Sequence, residues 1–521
     1  MKRFAFLLIG LLVYGTAFAQ VGHWEENSTL LRHCERSEAI QPELALFESG
    51  WIASSRHAAL AVLAMTNVPE MQPRRVLVAS PQAPQAWYAM WDGSNRAEYE
   101  WDAYPTYGAY ESMMQQFAAE HPDRCTYMEL GTLASGRKLM FCRINNGQPD
   151  GKPKFLYTST MHGDELTGMM LMLRFIDELC TSEDPRILNL IDNLDIFISP
   201  NTNPDGTYHG GNNTVSGARR RNANDVDLNR NYPDFDNGPH PDGYEYQDET
   251  IWMMDLAREY PFTMAANFHT GSEVVNYPWD TYQPLHPDDD WWRLVCHEYA
   301  DYVHLQDTTY MIAYDNGIVN GYVWYSIWGS RQDYMNYYAQ CREVTIECSN
   351  AYTPDPALMP MYWTYNHESI IRYMEQCLCG IHGTVTDSIT GRPLEATVTI
   401  EGHDHHGSFV SSHLPAGDYH RPIKGGTYEV NYTCRGYYSQ TLTITVEDGE
   451  TVVKDVQLVP VTTGVNEYQD APTGEYCIVN LLGQTLKTGV LDGQPLDVSS
   501  LPQGIYLLKT KNSTTKLIVR H

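Results

Sequence analysis

Apolar positions along the chain change their period partway through. Between about residue 101 and residue 378, compact apolar runs ("KFLYTST", "LDIFISP", "FTMAANFH", "REVTIECS") take turns with longer stretches of helical spacing at 166–180, 249–259 and 290–303. Strands that are apolar throughout must be covered on both faces, and the intervening helices supply the cover. The pattern predicts an α/β domain over 101–378, a mixed sheet flanked by helices. From Cys379 the period shortens to two, as in Tyr428/Val430/Tyr432 and Leu442/Ile444/Val446, with Gly-containing turns between the runs. That predicts an all-β sandwich over 379–460. "VTTGVNEYQDAPTG" has no period and marks a linker, 461–473, ahead of a last small all-β unit at 474–521. Residues 20–100 form an irregular segment. Within it, "RHCERSEAIQ" and "IASSRHAALAVLAMT" look like a translated dispersed bacterial repeat, so 21–75 reads as an insertion or a start-site artefact.

Composition narrows the class. A chain of 521 residues with 42% hydrophobic positions and 36 tyrosines can pack more than one core, and its composition does not suggest disorder. Its 35 basic against 65 acidic residues leave a net charge of −30, which argues against nucleic acid as a partner and favours cationic ligands. The start, "MKR" followed by "FAFLLIGLLV" and "AFAQ", places Ala17 and Ala19 where a signal peptidase needs small residues. Residues 1–19 therefore read as a secretory signal peptide, too short to span a bilayer, and no later segment reads as a span. Export permits disulfides, but the eleven cysteines are odd in number and Cys377 and Cys379 stand too close to pair. With no CxxC, a cysteine zinc site is not expected.

The candidate chemistry begins after the first apolar strand, in "TSTMHGDELTGMM", where His162 and Glu165 sit between a strand and a helix. A catalytic zinc needs three protein ligands and an open position, and His with carboxylate suits hydrolysis. His269 closes the strand-like run "FTMAANFH" and can supply the third ligand. An isolated HxxE arises often by chance among 19 histidines, so the companions matter. "RRRNANDVDLNRNYPD" holds Arg220, Asp227, Asn229 and Arg230; "NGYVWYSIWGSRQDYMNYY" holds Tyr325 and Gln332; "REVTIECS" holds Glu347 at a strand end.

With "HGDE..G", "NPDG", "DLNRNYP", "VVNYPWD", "WYSIWGSRQDYMNY" and "EVTIECS" in that order over 154–349, the chain resembles the zinc metallocarboxypeptidases, in the regulatory branch that includes carboxypeptidases N, E, D and M. The resemblance implies one Zn2+ in the catalytic domain, held by His162, Glu165 and His269, with Asp227 behind the His162 ring. Glu347 is implied as general base and acid, and Arg220 as the group that polarises the scissile carbonyl; its spacing to Asn229 selects it over Arg219 and Arg221. Asn229 and Arg230 are implied to clamp the substrate's terminal carboxylate, with Tyr325 closing over the bound residue. Preference for C-terminal Lys or Arg in this branch depends on an acid eleven positions after the third ligand, here Asp280, and on a glutamine, here Gln332.

The sandwich at 379–460 resembles the transthyretin-like domain of the same branch. The last unit, with "NLLGQTLKTG" and "LDVSSLPQGIYLLK", resembles the C-terminal sorting domain of the type IX secretion system. Together these imply a secreted or cell-surface enzyme of a Gram-negative bacterium, acting on peptide or protein C-termini ending in Lys or Arg and meeting the secretion machinery through its C-terminal domain. The alternatives are a zinc carboxypeptidase of another specificity and a catalytically silent surface peptide-binding protein; all three ligands and Glu347 are present, which disfavours the silent form. The "HDHH" run, His403 to His406, is expected in a surface loop, and the tyrosine-rich stretch 322–338 is expected to be mostly packing. "GSRQD" in place of a more common glycine pair leaves the ligands untouched.

Overall fold

The apolar runs become strands where their pattern places them. The computed structural model describes residues 88–96, 99–461, 474–491 and, apart from 497, 499 and 512, residues 496–519. The expected signal peptide, the 21–75 segment and nearly all of the expected linker lie outside the described residues. A short parallel pair, β1 (Met90–Trp91) and β2 (Tyr104–Pro105), leads into α1 (Tyr107–Glu120). The central sheet holds β3 (Cys125–Thr132), β4 (Lys138–Ile144), β5 (Lys154–Ser159), β6 (Asp195–Ser199), β7 (Met264–His269), β8 (Ser272–Tyr277), β9 (Ile318–Asn320) and β10 (Arg342–Ser349). Their order is β3-β4-β6-β5-β7-β10-β8-β9. The middle strands β6, β5, β7 and β10 run parallel to one another, with antiparallel pairs on both sides, so the sheet is mixed.

Alternation along the strands divides two cores. Phe155, Tyr157, Phe268 and Ile346 point to one face, into a core shared with α2 (Thr167–Thr181), α3 (Pro185–Asn193), α5 (Asp289–His304) and α7 (Met359–Glu375). Leu156 and Ala265 point to the other, against Met253 and Leu256 of α4 (Asp248–Glu259) and Met335 of α6 (Arg331–Tyr337). On that second face the side chains turn polar: Thr158 on β5, Asn267 and His269 on β7, and Glu343, Thr345 and Glu347 on β10. All of them are buried. Buried polar groups need partners, so this stretch is where chemistry or a polar network must lie.

Beyond the sheet, β11 (Gly380–Asp387), β14 (Asp418–Arg421) and β17 (Thr451–Val453) pair in one layer, with β18 (Val456–Leu458) beside β11. β12 (Thr397–Ile400), β13 (Val410–Ser411), β15 (Gly426–Thr433) and β16 (Gln440–Val446) form another. They enclose one core, from Ile381 to Leu458. A last antiparallel sheet, β19 (Gly474–Asn480) to β22 (Thr514–Val519), has its own small core around Ile478 and Tyr506.

The sandwich is fastened to the α/β unit by a buried ion cluster. Asp288, fully buried, accepts from Arg421 of β14 at 2.8 and 3.0 Å and from Arg342 of β10 at 2.9 Å, and Arg421 also meets Asp404 at 2.7 Å. This corrects the expectation for the "HDHH" run. His403 stands 3.0 Å from Asp404 and 3.5 Å from Asp288, and the His406 ring lies 4.9 Å from that of Tyr282. The loop is seated in the seam, with only His405 and His406 exposed, because its carboxylate serves a cation there. The tyrosine-rich stretch also divides: Tyr334 and Met335 pack, whereas Trp324 and Tyr325 line a cleft. The ten described cysteines are all free thiols. Among the described residues, no helix is long and apolar enough to cross a membrane.

Candidate metal centre and active-site cleft

His162 and Glu165 lie in the connection between β5 and α2, and His269 is the last residue of β7. β5 and β7 are parallel neighbours, so the connection and the strand end meet at one edge of the sheet, where open α/β sheets place their ligands. The connection passes close beneath the 203–207 turn. A Cβ on Gly163 would come within 2.3 Å of the Gly206 carbonyl carbon, so only glycine fits between His162 and Glu165.

The three ligand atoms lie within 4.8 Å of one another and all three side chains are buried. Glu165 Oε1 is 2.8 Å from His162 Nδ1, its Oε2 is 2.8 Å from His269 Nδ1, and the two Nδ1 atoms are 3.1 Å apart. Two imidazole nitrogens facing each other across a carboxylate need a cation or a proton among them. A divalent metal with three protein donors satisfies all of them together, and the donor set suits zinc. The far side of each ring is held by a buried side chain. Asp227 Oδ1 takes His162 Nε2 at 3.0 Å, and the Asn267 amide stands 2.6 Å from His269 Nε2. The amide is fixed in turn by Thr158, whose hydroxyl donates to Asn267 Oδ1 at 2.8 Å.

Charge confirms the cation-seeking character. Burial opposes ionisation of Glu165, but His162 and His269 outweigh it and hold the carboxyl far below the usual range. Asp227 is likewise held well below it, against its burial, by Arg220 and His162. Burial and Arg220 disfavour the His162 imidazolium, yet Glu165 and Asp227 overcome both and lift its pKa to about 9.

A narrow cleft opens over these ligands, lined also by Arg220, Asn229, Asp280, Tyr325 and Glu347. Glu347 pairs in register with His269 across β10 and β7, so both side chains emerge on the same face. Arg220 Nε donates to Asp227 at 2.9 Å and its Nη1 to Glu165 at 3.3 Å. Arg219 and Arg221 instead bind backbone carbonyls of their own turn, at Asn222, Ala223 and Asp225. Asn229 is fixed by a bond from its N–H to Asp227 and one from the Arg331 N–H to its side-chain oxygen, both at 3.0 Å.

Three of the expected residues stand just outside the lining. Asp227 is behind His162, Arg230 donates to the Asn229 carbonyl at 2.8 Å, and Gln332 donates to Asp280 Oδ1 at 3.0 Å from behind. Asn276, four residues before Asp280 in "NYPWD", donates to the same oxygen at 3.1 Å. It lines the cleft, as do Trp324, Ile327 and Thr345, none of which sequence reasoning singled out. The period-two run of Glu343, Thr345 and Glu347 in an otherwise apolar strand is the signal that could have found Thr345. Asp280 is buried, and burial raises its pKa against the bonds from Ser330 and Asn276. The Asp280 and Thr281 N–H groups donate to Asp333 at 2.8 to 3.1 Å, which fixes the acid's backbone. Gly321 lies against the carboxylate so closely that a Cβ there would sit 2.0 Å from Oδ1.

Three family models match the chain: zinc carboxypeptidase over residues 110–369, carboxypeptidase regulatory-like domain over 380–459, and secretion system C-terminal sorting domain over 459–520. Carboxypeptidase D of Rattus norvegicus is 34% identical over 380 residues, 68% of this chain and 27% of its own length. The chain thus spans about a quarter of carboxypeptidase D. Carboxypeptidase M of Mus musculus is 32% identical, covering 64% of this chain and 79% of its own. For the carboxypeptidase N catalytic chain of Rattus norvegicus the values are 32%, 67% and 85%.

Proposed function

Because this chain belongs to the zinc carboxypeptidase family, in the branch of carboxypeptidases D, E, M and N, we propose that it is an exported zinc-dependent exopeptidase that removes Lys or Arg from peptide C-termini. The convergence of His162, Glu165 and His269 beneath a cleft that also holds Glu347, Arg220 and Asp280 carries this reading.

Zinc, when bound, supplies a Lewis acid that polarises the scissile carbonyl and acidifies water. The chain's own residues do the rest. Asn229 and Arg230 bind the terminal carboxylate, a planar guanidinium matching its two oxygens, which confines cleavage to the last peptide bond. Tyr325 closes over the terminal residue. The cationic side chain of that residue pairs with Asp280, whose carboxylate Gln332 and Asn276 hold in place. Glu347 takes a proton from the attacking water and delivers it to the nitrogen as the C–N bond breaks. Arg220 meets the negative charge that builds on the carbonyl oxygen. The products are a shortened peptide and a free basic amino acid. The sorting domain at the C-terminus supports export by type IX secretion, to the cell surface or the medium.

Two peptides differing only in a C-terminal Arg or Leu test the reading, with zinc, with a chelator and with Asp280→Ala. Chelator-sensitive release of Arg alone, lost in the variant, is the expected result. Release of Leu in preference would overturn the specificity. No release by folded, zinc-loaded protein would overturn the enzyme reading in favour of a peptide-binding protein.

A further inference from the structure

Arg331 and Glu343 form an ion pair buried to about 1% exposure or less, Nη2 to Oε2 at 2.8 Å, on the sheet face that carries the site. Neither belongs to the ligand set or the cleft lining. The other arm of the guanidinium, Nη1, donates to Thr158 Oγ1. Thr158 Oγ1 is 2.8 Å from the Asn267 side-chain amide, and that amide is 2.6 Å from Nε2 of His269. Register explains the line: Thr158 of β5 pairs with Asn267 of β7, and Glu343 lies one pleat further back on β10. The Arg331 backbone N–H donates to the side chain of Asn229 at 3.0 Å. One residue therefore braces the support of the third ligand with its side chain and a substrate-clamp residue with its main chain.

Stability alone does not account for this pair, since an apolar pair of the same volume serves a buried site as well or better. What the guanidinium adds is direction. It can only donate, so the Thr158 oxygen accepts from it and the Thr158 hydroxyl donates to Asn267 Oδ1, which fixes the amide beside the His269 ring. We infer that Arg331, held by Glu343, is a positioning residue for the metal centre, setting the His269 ring through Thr158 and Asn267. The inference rests on the reading of His269 as a zinc ligand.

Zinc affinity measured by chelator competition tests it, with thermal melting of the metal-free protein alongside. Arg331→Met leaves Glu343 buried alone and risks the fold, so Arg331→Met/Glu343→Gln, which removes both charges, is the working variant. The expected result is zinc binding weakened about tenfold with the metal-free melt preserved, the range found when groups supporting a metal ligand are removed. Thr158→Val should weaken it similarly. Combining all three changes should cost no more than either alone, because they interrupt one line of contacts. Unchanged zinc affinity in the charge-free variant, or fully additive losses, would overturn the inference. His269→Ala separates the two readings: if it leaves zinc binding intact, the ligand assignment itself fails.

Discussion

In the proposed function Asp280 has two opposed tasks: to stay charged for a cationic substrate and to sit buried in the fold. Burial raises its pKa, so the folded protein holds this proton more tightly than the unfolded chain does. That preference stabilises the fold below the ordinary carboxyl range and is lost as pH rises through the raised pKa, so near pH 7 the ionised group costs stability. Asp280→Asn should therefore raise the melting temperature of the metal-free protein at pH 7, by about 2–4 °C for each kcal/mol recovered, while abolishing the preference for Arg over Leu. The same sign governs activity. As pH falls, KM for Arg peptides should rise while an ordinary exposed carboxylate would still be ionised, and Leu peptides should show no such limb. Glu347 supplies a cleaner loss. Glu347→Gln keeps size and hydrogen bonding but cannot take a proton, so kcat should fall about 10²–10⁴-fold with zinc content unchanged; loss of zinc in this variant would contradict the assignment. These residues were legible in the sequence because each sits at a strand end or a turn, where a polar side chain interrupts an apolar run. Arg331 and Asn276 were not. Arg331 meets Thr158 only where the fold lays its helix against the sheet, and Asn276 meets Asp280 only because the chain bends back between them.

At the scale of elements, the period of the apolar pattern was enough to place β5, β6, β7, β10 and helices α2, α4 and α5 to within a few residues, since buried parallel strands and amphipathic helices leave strong local signals. The seam between the two larger units left none. Asp288 precedes α5, Arg342 opens β10, Arg421 closes β14 and Asp404 sits in a loop, so nothing in any one segment marks the cluster. A histidine-rich loop looks like surface until its carboxylate is found facing a buried guanidinium. The consequence can be measured. Arg421→Met removes the cation shared by Asp288 and Asp404 and leaves two buried carboxylates underneutralised, which should cost about 3–5 kcal/mol. Arg342 anchors the strand that carries Glu347, so the damage should reach the central sheet: one melting transition at a lower temperature is expected. Two separated transitions, with the α/β unit unaffected, would show that the sandwich is only appended.

On the scale of the whole molecule, the charge is distributed unevenly. Residues 1–19 and 474–521 are each net +2 by count, so the segments between them carry −34. Removal of the signal peptide and of the sorting unit would thus leave a more acidic protein than the full chain, around a cleft whose floor holds Asp280. A strongly acidic body attracts a cationic peptide from beyond contact range, and salt shortens that reach, from about 30 Å at 0.01 M to about 10 Å at 0.1 M. Attraction of this kind acts on encounter, so it enters kcat/KM and leaves kcat alone. For a peptide ending in Arg, kcat/KM should fall about 3–10-fold between 0.01 and 0.2 M salt, with kcat steady. A neutral peptide ending in Leu, measured as a slow substrate or as a competitor, should change less than twofold. The Asp280→Ala variant divides the effect: its kcat/KM for Arg should be low at every salt concentration but retain most of the slope, since one residue supplies the contact and the whole surface supplies the steering. If the slope disappears with Asp280, the long-range field is not acting, and the acidic composition serves solubility alone.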